Sequence, residues 1–294
     1  MLLPHRVFLV VGLAGMSLLG TVGCAPQDET SAPVASGSAT PAADACRKDT
    51  LSLVTPGTFT IGTDKPAYEP WFADDDPANG KGYESAVAFA VAEKLGFAKT
   101  EVKWIVVPFT NAYAPGDKKF DVDINQISIT DARKKAVDFS TGYYDVAQTV
   151  ITTESSRIAG AKSIADLKGA KLGAQVGTTS YTAINEQIKP DQKVAVYDTN
   201  DLAVQALKVG QVDGIVVDLP TAFYMVAAQL DDGQIVGQLP AGTGTPDQFG
   251  FVLNKGSALT PCVSNAVDGL REDGTLSKIA AEWLSNSGGA PELQ

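Results

Sequence analysis

Residues 121–144 read DVDINQISITDARKKAVDFSTGYY. The stretch begins with the alternating apolar residues of a strand and continues into a helix-like segment. Between the two lies a row of hydrogen-bonding side chains, formed by Asn125, Gln126 and Ser128, with Arg133 behind them. A strand that only filled a core would not end in such a row. The stretch therefore predicts a strand whose carboxyl end carries a polar site.

Strand-like and helix-like segments alternate over the rest of the chain. FTIGT at 59–63 is typical of a strand, and GYESAVAFAVAEKLGF at 82–97 places its apolar residues on one helical face. The alternation continues through KLGAQ at 171–175 and GIVVD at 214–218. Such alternation predicts α/β architecture with largely parallel sheets.

Polar side chains follow several of these strands. Asp64 follows FTIGT, Thr178 and Thr179 lie between a strand and a helix start, and Asp218 ends GIVVD. In open α/β sheets, ligands bind beyond the carboxyl ends of the strands. Because these residues fall in two separate halves of the chain, they predict a cleft between two α/β lobes.

The N-terminal region has the pattern of an export signal. Residues 1–23 combine a short basic start with an apolar stretch too short for a membrane span. They end beside Cys24 in the manner of a bacterial lipobox, which predicts lipid attachment to Cys24; ordinary cleavage with an unmodified Cys24 is the alternative. Residues 24–45 are rich in Ala, Pro, Ser and Thr and predict a disordered tether.

Composition excludes several classes of function. Without residues 1–23 the chain has 22 basic and 34 acidic residues, a net charge of −12, which disfavours nucleic acid and anionic lipid. The one histidine, His5, lies in the signal region. The mature chain therefore lacks the residue needed for Ser-His-Asp, Cys-His and His-zinc sites, and no cofactor or metal is expected.

Two cysteines remain if Cys24 is lipidated. Cys46 and Cys262 would lie outside the cytoplasm, where a disulfide between them is the simplest state. Two unpaired buried thiols are the alternative.

The order of these motifs resembles that of the polar amino-acid-binding proteins of ABC importers, the bacterial extracellular solute-binding family 3. IGTDKPAYEPWF at 61–72 resembles its opening motif, and residues 121–144 resemble its signature. AQVGTT at 174–179 and GQVDGIVVD at 210–218 resemble its second-lobe strands. The similarity covers about residues 46–294.

The resemblance implies a two-lobed type II periplasmic-binding-protein fold, each lobe a sheet flanked by helices. Lobe 1 would comprise 46–148 and 250–294, lobe 2 would comprise 149–249, and AQTVITT and GTGTPDQ would form the hinge. The protein would be an extracytoplasmic, monomeric lipoprotein held to the membrane by Cys24. It would close on a free polar amino acid and deliver it to a membrane permease.

The resemblance also assigns roles in the cleft. Arg133 would bind the ligand carboxylate, assisted by Ser128, Thr178 and Thr179, and Asp218 would bind the ammonium. The other ligand-binding residues expected are Tyr68 and Phe109 on the carbon chain, Asn125 and Gln126 on the floor, and Asp64 near the side chain. Asn125 and Gln126 replace the Ser or Gly usual in the family, and Ala86 replaces a usual acid.

Structural roles are the alternatives. These alternatives stay open: Arg133 as a solvated helix residue, Asp218 or the two threonines as helix caps, Phe109 as core, and Asp64 as a salt-bridge partner of Lys65 or of a surface group. The acidic run at 73–77 suits a solvated loop better than a calcium site.

Two other classes of function use the same fold. An amino-acid-like dehydratase would need a poised acid or base. Glu84, Glu69 and Asp247 are the loose candidates, and none sits in a recognisable constellation, so a non-enzymatic role is expected. A ligand-binding sensor component would need a partner chain.

Overall fold

A computed structural model describes residues 46–241, 247–285 and 289–294. The predicted signal peptide, the lipid site at Cys24 and the tether at 24–45 lie outside this part of the chain. In the described ranges, no helix combines the length and apolar character needed to cross a bilayer.

The strands of sheet A are mostly parallel. Its order is β2-β1-β3-β12-β4, where β1 pairs in parallel with β2 and β3, and β12 runs antiparallel to β3 and β4. The strands are β1 (Phe59–Thr63), β2 (Val102–Val106), β3 (Val122–Asp123), β4 (Val137–Phe139) and β12 (Val252–Asn254).

Sheet B has five strands in the order β10-β6-β9-β7-β8. β7 pairs in parallel with β8 and β9, whereas β6 is antiparallel to β9 and β10. The strands are β6 (Gln148–Thr153), β7 (Leu172–Gln175), β8 (Ala195–Tyr197), β9 (Gly214–Asp218) and β10 (Gly233–Gln238).

A short antiparallel pair lies where the chain passes between the sheets. β5 (Tyr144–Val146) pairs with β11 (Asp247–Phe249). Most of the segment AQTVITT belongs to β6, and residues 242–246 of GTGTPDQ lie outside the described part. The lobe boundaries drawn from the sequence stay a prediction. The last residues return to sheet B, since Glu292 bridges Gln238 and Leu293 is buried in the core there.

Helices cover both sheets. The helix α1 (Tyr83–Lys94) packs with the C-terminal pair of helices on one face of sheet A, around Phe59 and Ile61. The other helices are α2 (Phe109–Ala112), α3 (Asp131–Lys134), α4 (Thr179–Ala183), α5 (Asn200–Lys208), α6 (Leu219–Tyr224), α7 (Thr260–Glu272) and α8 (Thr275–Trp283). Single π-helical turns, Ile184–Ile188 and Met225–Gln229, extend α4 and α6.

Cores on both faces of sheet B explain why its strands are so apolar. Val150 and Val216 face a cluster that includes Ile184 of the extended α4. Ile151 and Ile215 face the opposite cluster, which includes residues of α5 and α6. Strands buried on both faces read as near-continuous hydrophobic runs, as GIVVD does.

The strand expected at 121–127 is much shorter than its sequence pattern suggests. Only Val122–Asp123 is paired as β3. Gln126 has a φ of 47°, and its backbone N–H donates 2.7 Å to Glu84 instead of to a neighbouring strand. The backbone therefore leaves the sheet just where the polar row begins.

The predicted disulfide is present. Cys46 and Cys262 are bonded, with their Cα atoms 5.3 Å apart and a sequence separation of 216. The bond joins the first residue that the structure describes to α7, which packs on α1.

Candidate functional site

A cavity between the two sheets is lined by every residue predicted to bind ligand. These residues follow strands of both sheets, so the fold brings together segments that are far apart in sequence. The predicted residues around the cavity are Asp64, Tyr68, Phe109, Asn125, Gln126, Ser128, Arg133, Thr178, Thr179 and Asp218.

The guanidinium of Arg133 is the cationic group of this lining. The side chain is 8% exposed, so it is not the solvated helix residue that was the alternative. Its Nη1 donates 2.7 Å to the carbonyl of Ser128, and its Nη2 donates 2.9 Å to the carbonyl of Gly177. Burial lowers the pKa of the guanidinium from its ordinary value. Two of its five N–H groups thus donate to backbone carbonyls.

Two aromatic rings hold the guanidinium in place. Its carbon lies 4.4 Å from the ring centre of Tyr113 and 5.6 Å from that of Phe109. The Tyr113 hydroxyl also donates 3.2 Å to Gly177. Gly177 has a φ of 72°, and a Cβ there would collide with that hydroxyl, so this turn requires glycine. Phe109 contacts Arg133 as well as lining the cavity, which was not foreseen, and Tyr113 was missed altogether.

The carboxyl of Asp218 lies at the end of β9, on the side of the cavity formed by sheet B. Asp218 occupies the N-cap position of α6, but its side chain caps no backbone N–H. It accepts instead 2.8 Å from Nε2 of Gln148. Burial raises the pKa of Asp218 to about 7, against the lowering effects of Gln148 and Arg133. The Asp218 side chain therefore lines the cavity and does not cap α6.

Hydroxyl groups meet across the cleft. Ser128 Oγ is 3.1 Å from Thr179 Oγ1, which in turn lies 3.3 Å from Nε2 of Gln148. Thr178 is the N-cap of α4, where its hydroxyl accepts from the N–H of Tyr181. Thr178 therefore caps the helix and also lines the cavity.

Behind the cavity floor lies a buried acid. The carboxylate of Glu84 accepts from the backbone and side-chain amides of Gln126 and from the Tyr143 hydroxyl. Burial raises the pKa of Glu84 to about 7. Asn125, at 7% exposure, has an Nδ2 group without a hydrogen-bond partner among the described residues. The cavity floor is therefore formed and supported by residues of the lobe that contains sheet A.

Asp64 lines the cavity directly after the end of β1. Its Oδ1 accepts from the backbone N–H of Lys65 and its Oδ2 accepts 3.1 Å from that of Phe109. The Lys65 ammonium pairs with Asp75 instead, so the expected alternative of an Asp64–Lys65 side-chain pair is wrong. Burial and the neighbouring Asp201 raise the pKa of the Tyr68 phenol.

Several lining residues escaped the sequence analysis. Gln175 ends β7 and Asn200 begins α5. Both are polar residues at the end of a strand or the start of a helix, the same pattern that predicted the other lining residues. Thr221 accepts 2.9 Å from the indole N–H of Trp71, a hydrogen bond between the two lobes. No pattern in the sequence links those two positions. The additional lining residues are Pro66, Ala67, Phe72, Gln175, Asn200 and Thr221.

The charged residues of the lining define what the cavity can bind. Arg133 supplies one positive charge and Asp64 and Asp218 supply carboxylates. Among the described residues, no group of three His, Cys, Asp or Glu side chains is arranged to hold a metal ion. The arrangement suits a small molecule that carries both an anionic and a cationic group.

A sequence profile of the bacterial extracellular solute-binding proteins, family 3, matches residues 59–286. The chain belongs to this family. The match begins with β1 and includes every strand of both sheets, so it covers the elements that build the cavity.

Similar proteins bind amino acids, as their names state. The L-cystine-binding protein TcyJ of Escherichia coli K12 is 29% identical over 232 residues, or 78% of this chain and 83% of TcyJ. The ABC transporter arginine-binding protein 1 of the same organism is 33% identical over 172 residues, 57% and 67% of the two chains. A solved ancestral arginine-binding protein bound to glutamine is 30% identical with a TM-score of 0.64, and the similarity covers 78% of this chain and 98% of that chain.

These findings confirm the predicted architecture. The family 3 protein has the two-lobed type II periplasmic-binding-protein fold, with a sheet flanked by helices in each lobe and a cleft between them. Its relatives are amino-acid-binding proteins of ABC transporters, which supports a substrate-binding role outside the cytoplasm.

Proposed function

We propose that the protein captures a free amino acid in the cleft and delivers it to the permease of an ABC importer. The observation that carries the proposal is that Arg133 and Asp218, groups of opposite charge, line one cavity from different lobes. A free amino acid is a zwitterion whose carboxylate fits the planar fork of Arg133 and whose ammonium fits Asp218.

The charges of the cavity lining limit which amino-acid side chains the site can bind. Asp64 and Asp218 together outnumber the one cation, Arg133. A ligand whose side chain is a carboxylate would meet this excess of negative charge in a poorly solvated site. The proposed ligand is therefore a polar amino acid with a neutral or cationic side chain. TcyJ and the arginine-binding relatives are named for ligands that are not acidic amino acids.

Calorimetric titration with the twenty standard amino acids, L-cystine, L-ornithine and common polyamines tests this proposal. We expect at least one free amino acid to bind, and aspartate and glutamate to bind more weakly than their amides. Preference for a polyamine without a carboxylate, or no binding by any amino acid, would contradict the assignment. Mass spectrometry of the recovered ligand should show it unchanged.

Membrane attachment belongs to the same proposal. The lipobox-like TVGC at 21–24 and the Ala- and Pro-rich segment after it support a lipid-anchored protein that stays near its permease. Cell fractionation of the wild-type protein and Cys24→Ala is the test. The variant should leave the membrane fraction, and equal retention of both proteins would exclude lipid anchoring at Cys24.

A dehydratase on the same fold receives no support from the three candidate acids. Glu84 is enclosed behind the floor, and Glu69 and Asp247 are exposed and do not line the cavity. A catalytic acid or base must come within hydrogen-bonding reach of its substrate. Binding without chemical change is the proposed function.

A further inference from the structure

Gln148 occupies a position that links the crossing strand to the candidate site. It is the first residue of β6, and Ala147 alone separates it from the end of β5. It lies opposite Asp218 in the antiparallel register of β6 and β9. The side chain is buried, at 6% exposure. The sequence places Gln148 only in a hinge segment and gives it no role in binding.

The carboxamide of Gln148 is held in one orientation. Its Oε1 accepts 2.6 Å from the hydroxyl of Ser180, which is itself buried in the first turn of α4. Its Nε2 donates 2.8 Å to Oδ1 of Asp218. A rotated carboxamide would place its oxygen against the carboxylate, so only the observed orientation is favourable when Asp218 is ionised.

A hydrogen-bond donor beside Asp218 is important because other features of its surroundings disfavour the ionised carboxylate. Burial is the largest influence and raises its pKa to about 7, Asp247 also raises it, and Gln148 and Arg133 lower it. The charge of Asp218 in turn raises the pKa values of Glu84 and Tyr144. The group that would bind a ligand ammonium thus depends on a few contacts to stay ionised at neutral pH.

We propose that Gln148 is a positioning residue that keeps the carboxylate of Asp218 ionised and turned toward the cavity. The inference rests on the proposed function, in which Asp218 binds the ammonium of an amino acid. Only the ionised carboxylate binds an ammonium well, so loss of the donor weakens binding by making Asp218 easier to protonate.

Calorimetry between pH 5.5 and 8.5 with the best amino acid found by screening tests the role of Gln148. In the wild-type protein, affinity should fall as the pH drops and Asp218 takes up a proton. In Gln148→Met, which keeps the length but lacks the donor, affinity at pH 7 should fall about tenfold, the usual effect of one hydrogen bond to a charged group. The fall should begin at a higher pH than in the wild type.

Gln234→Met is the matched control. Gln234 lies in β10 of the same sheet and donates to the carbonyl of Ala159, outside the cavity lining. Its affinity profile should coincide with that of the wild type. Glu84 titrates in all of these proteins, so the shift between the profiles is the informative quantity. A loss in Gln148→Met that is equal at every pH, or no loss, would overturn the inference.

Asp218→Asn separates this inference from the proposed function. If Asp218→Asn binds as well as the wild type, the assignment of the ammonium site is wrong. If Asp218→Asn loses binding but Gln148→Met keeps the wild-type profile, only the role of Gln148 is wrong. Ser180→Ala, which releases the Gln148 oxygen, provides a milder variant should Gln148→Met fold poorly. It should shift the profile in the same direction by a smaller amount, and an unshifted profile would contradict the inference.

Discussion

Arg133 reaches across the cleft to Gly177, with its Nη2 2.9 Å from the carbonyl oxygen of that glycine. Its Nη1 contacts the carbonyl of Ser128 on its own side. One guanidinium therefore joins a loop of sheet A to the turn that follows β7 of sheet B. The same guanidinium is the group proposed to bind the carboxylate of the amino acid. One side chain would therefore contact both the opposite lobe and the bound amino acid.

The first prediction concerns this guanidinium. Arg133→Ala should weaken amino-acid binding by roughly 30- to several-thousand-fold, because a desolvated carboxylate loses its charged partner at a cost of about 2–5 kcal/mol. Arg133→Lys retains the charge but not the fork that makes parallel hydrogen bonds, so it should also bind much more weakly than the wild type. Calorimetry against the best ligand measures both effects.

Lys134→Ala is the control for Arg133. Lys134 is the next residue of α3, and its ammonium makes an exposed ion pair with Asp131. Its affinity should equal that of the wild type. Binding by Arg133→Ala within about threefold of the wild-type value would show that Arg133 does not contact the ligand, since that is less than one hydrogen bond to a charged group contributes.

The second prediction concerns the floor of the cavity. Asn125→Ser shortens a buried side chain whose Nδ2 group lacks a protein partner. It should change which amino acid is preferred more than whether one is bound, because the charged groups for the zwitterion remain. A change in relative affinities across the amino-acid panel, compared with the exposed control Asn185→Ser, is the expected result. An unchanged order of preference would mean that Asn125 does not contact the ligand side chain.

The third prediction concerns folding stability and pH. The folded pKa of Glu84 is about 7, against an ordinary value of 4.5. Between these values the folded state retains a proton that the unfolded state releases, so this group lowers the free energy of unfolding as the pH rises. The full effect is on the order of 3 kcal/mol above pH 7.

Urea titrations of Glu84→Gln at pH 5 and pH 8 measure this contribution. The variant should lose less stability between the two pH values than the wild type, because glutamine does not titrate. Asp123 is fully buried and has a pKa raised in the same direction, but it is present in both proteins. Glu93→Gln, on the exposed side of α1, should keep the wild-type slope. A slope in Glu84→Gln equal to that of the wild type would contradict the assignment.

The fourth prediction concerns the disulfide between Cys46 and Cys262. Because the bond closes a loop of 216 residues, it restricts the unfolded chain strongly. Replacing both cysteines by serine should lower the free energy of unfolding by about 2–5 kcal/mol. Ligand affinity should stay near the wild-type value, since neither cysteine lines the cavity. Non-reducing peptide mapping should find the two residues linked; two free thiols in the oxidised native protein would refute the bond.

The sequence by itself determined the α/β class and the positions of the ten candidate ligand residues that line the cavity. The export signal at residues 1–23 stays a prediction. Those features depend on local patterns: hydrophobic periodicity, polar residues at the ends of strands, and the order of motifs along the chain. The early departure of the chain from β3 was not visible, because the positive φ of Gln126 depends on a buried partner, Glu84, that lies 42 residues away.

Only the tertiary structure decided which side chains form hydrogen bonds with one another. Gln148 donates to Asp218 across 70 residues of sequence, and Trp71 donates to Thr221 across 150 residues. Antiparallel pairing of β6 with β9 places the first two side by side, and the approach of the two lobes brings the second two together. Local patterns identify polar residues at strand ends, but a hydrogen bond between distant residues depends on how the strands pair and how the lobes pack, and neither is encoded in the spacing of those residues.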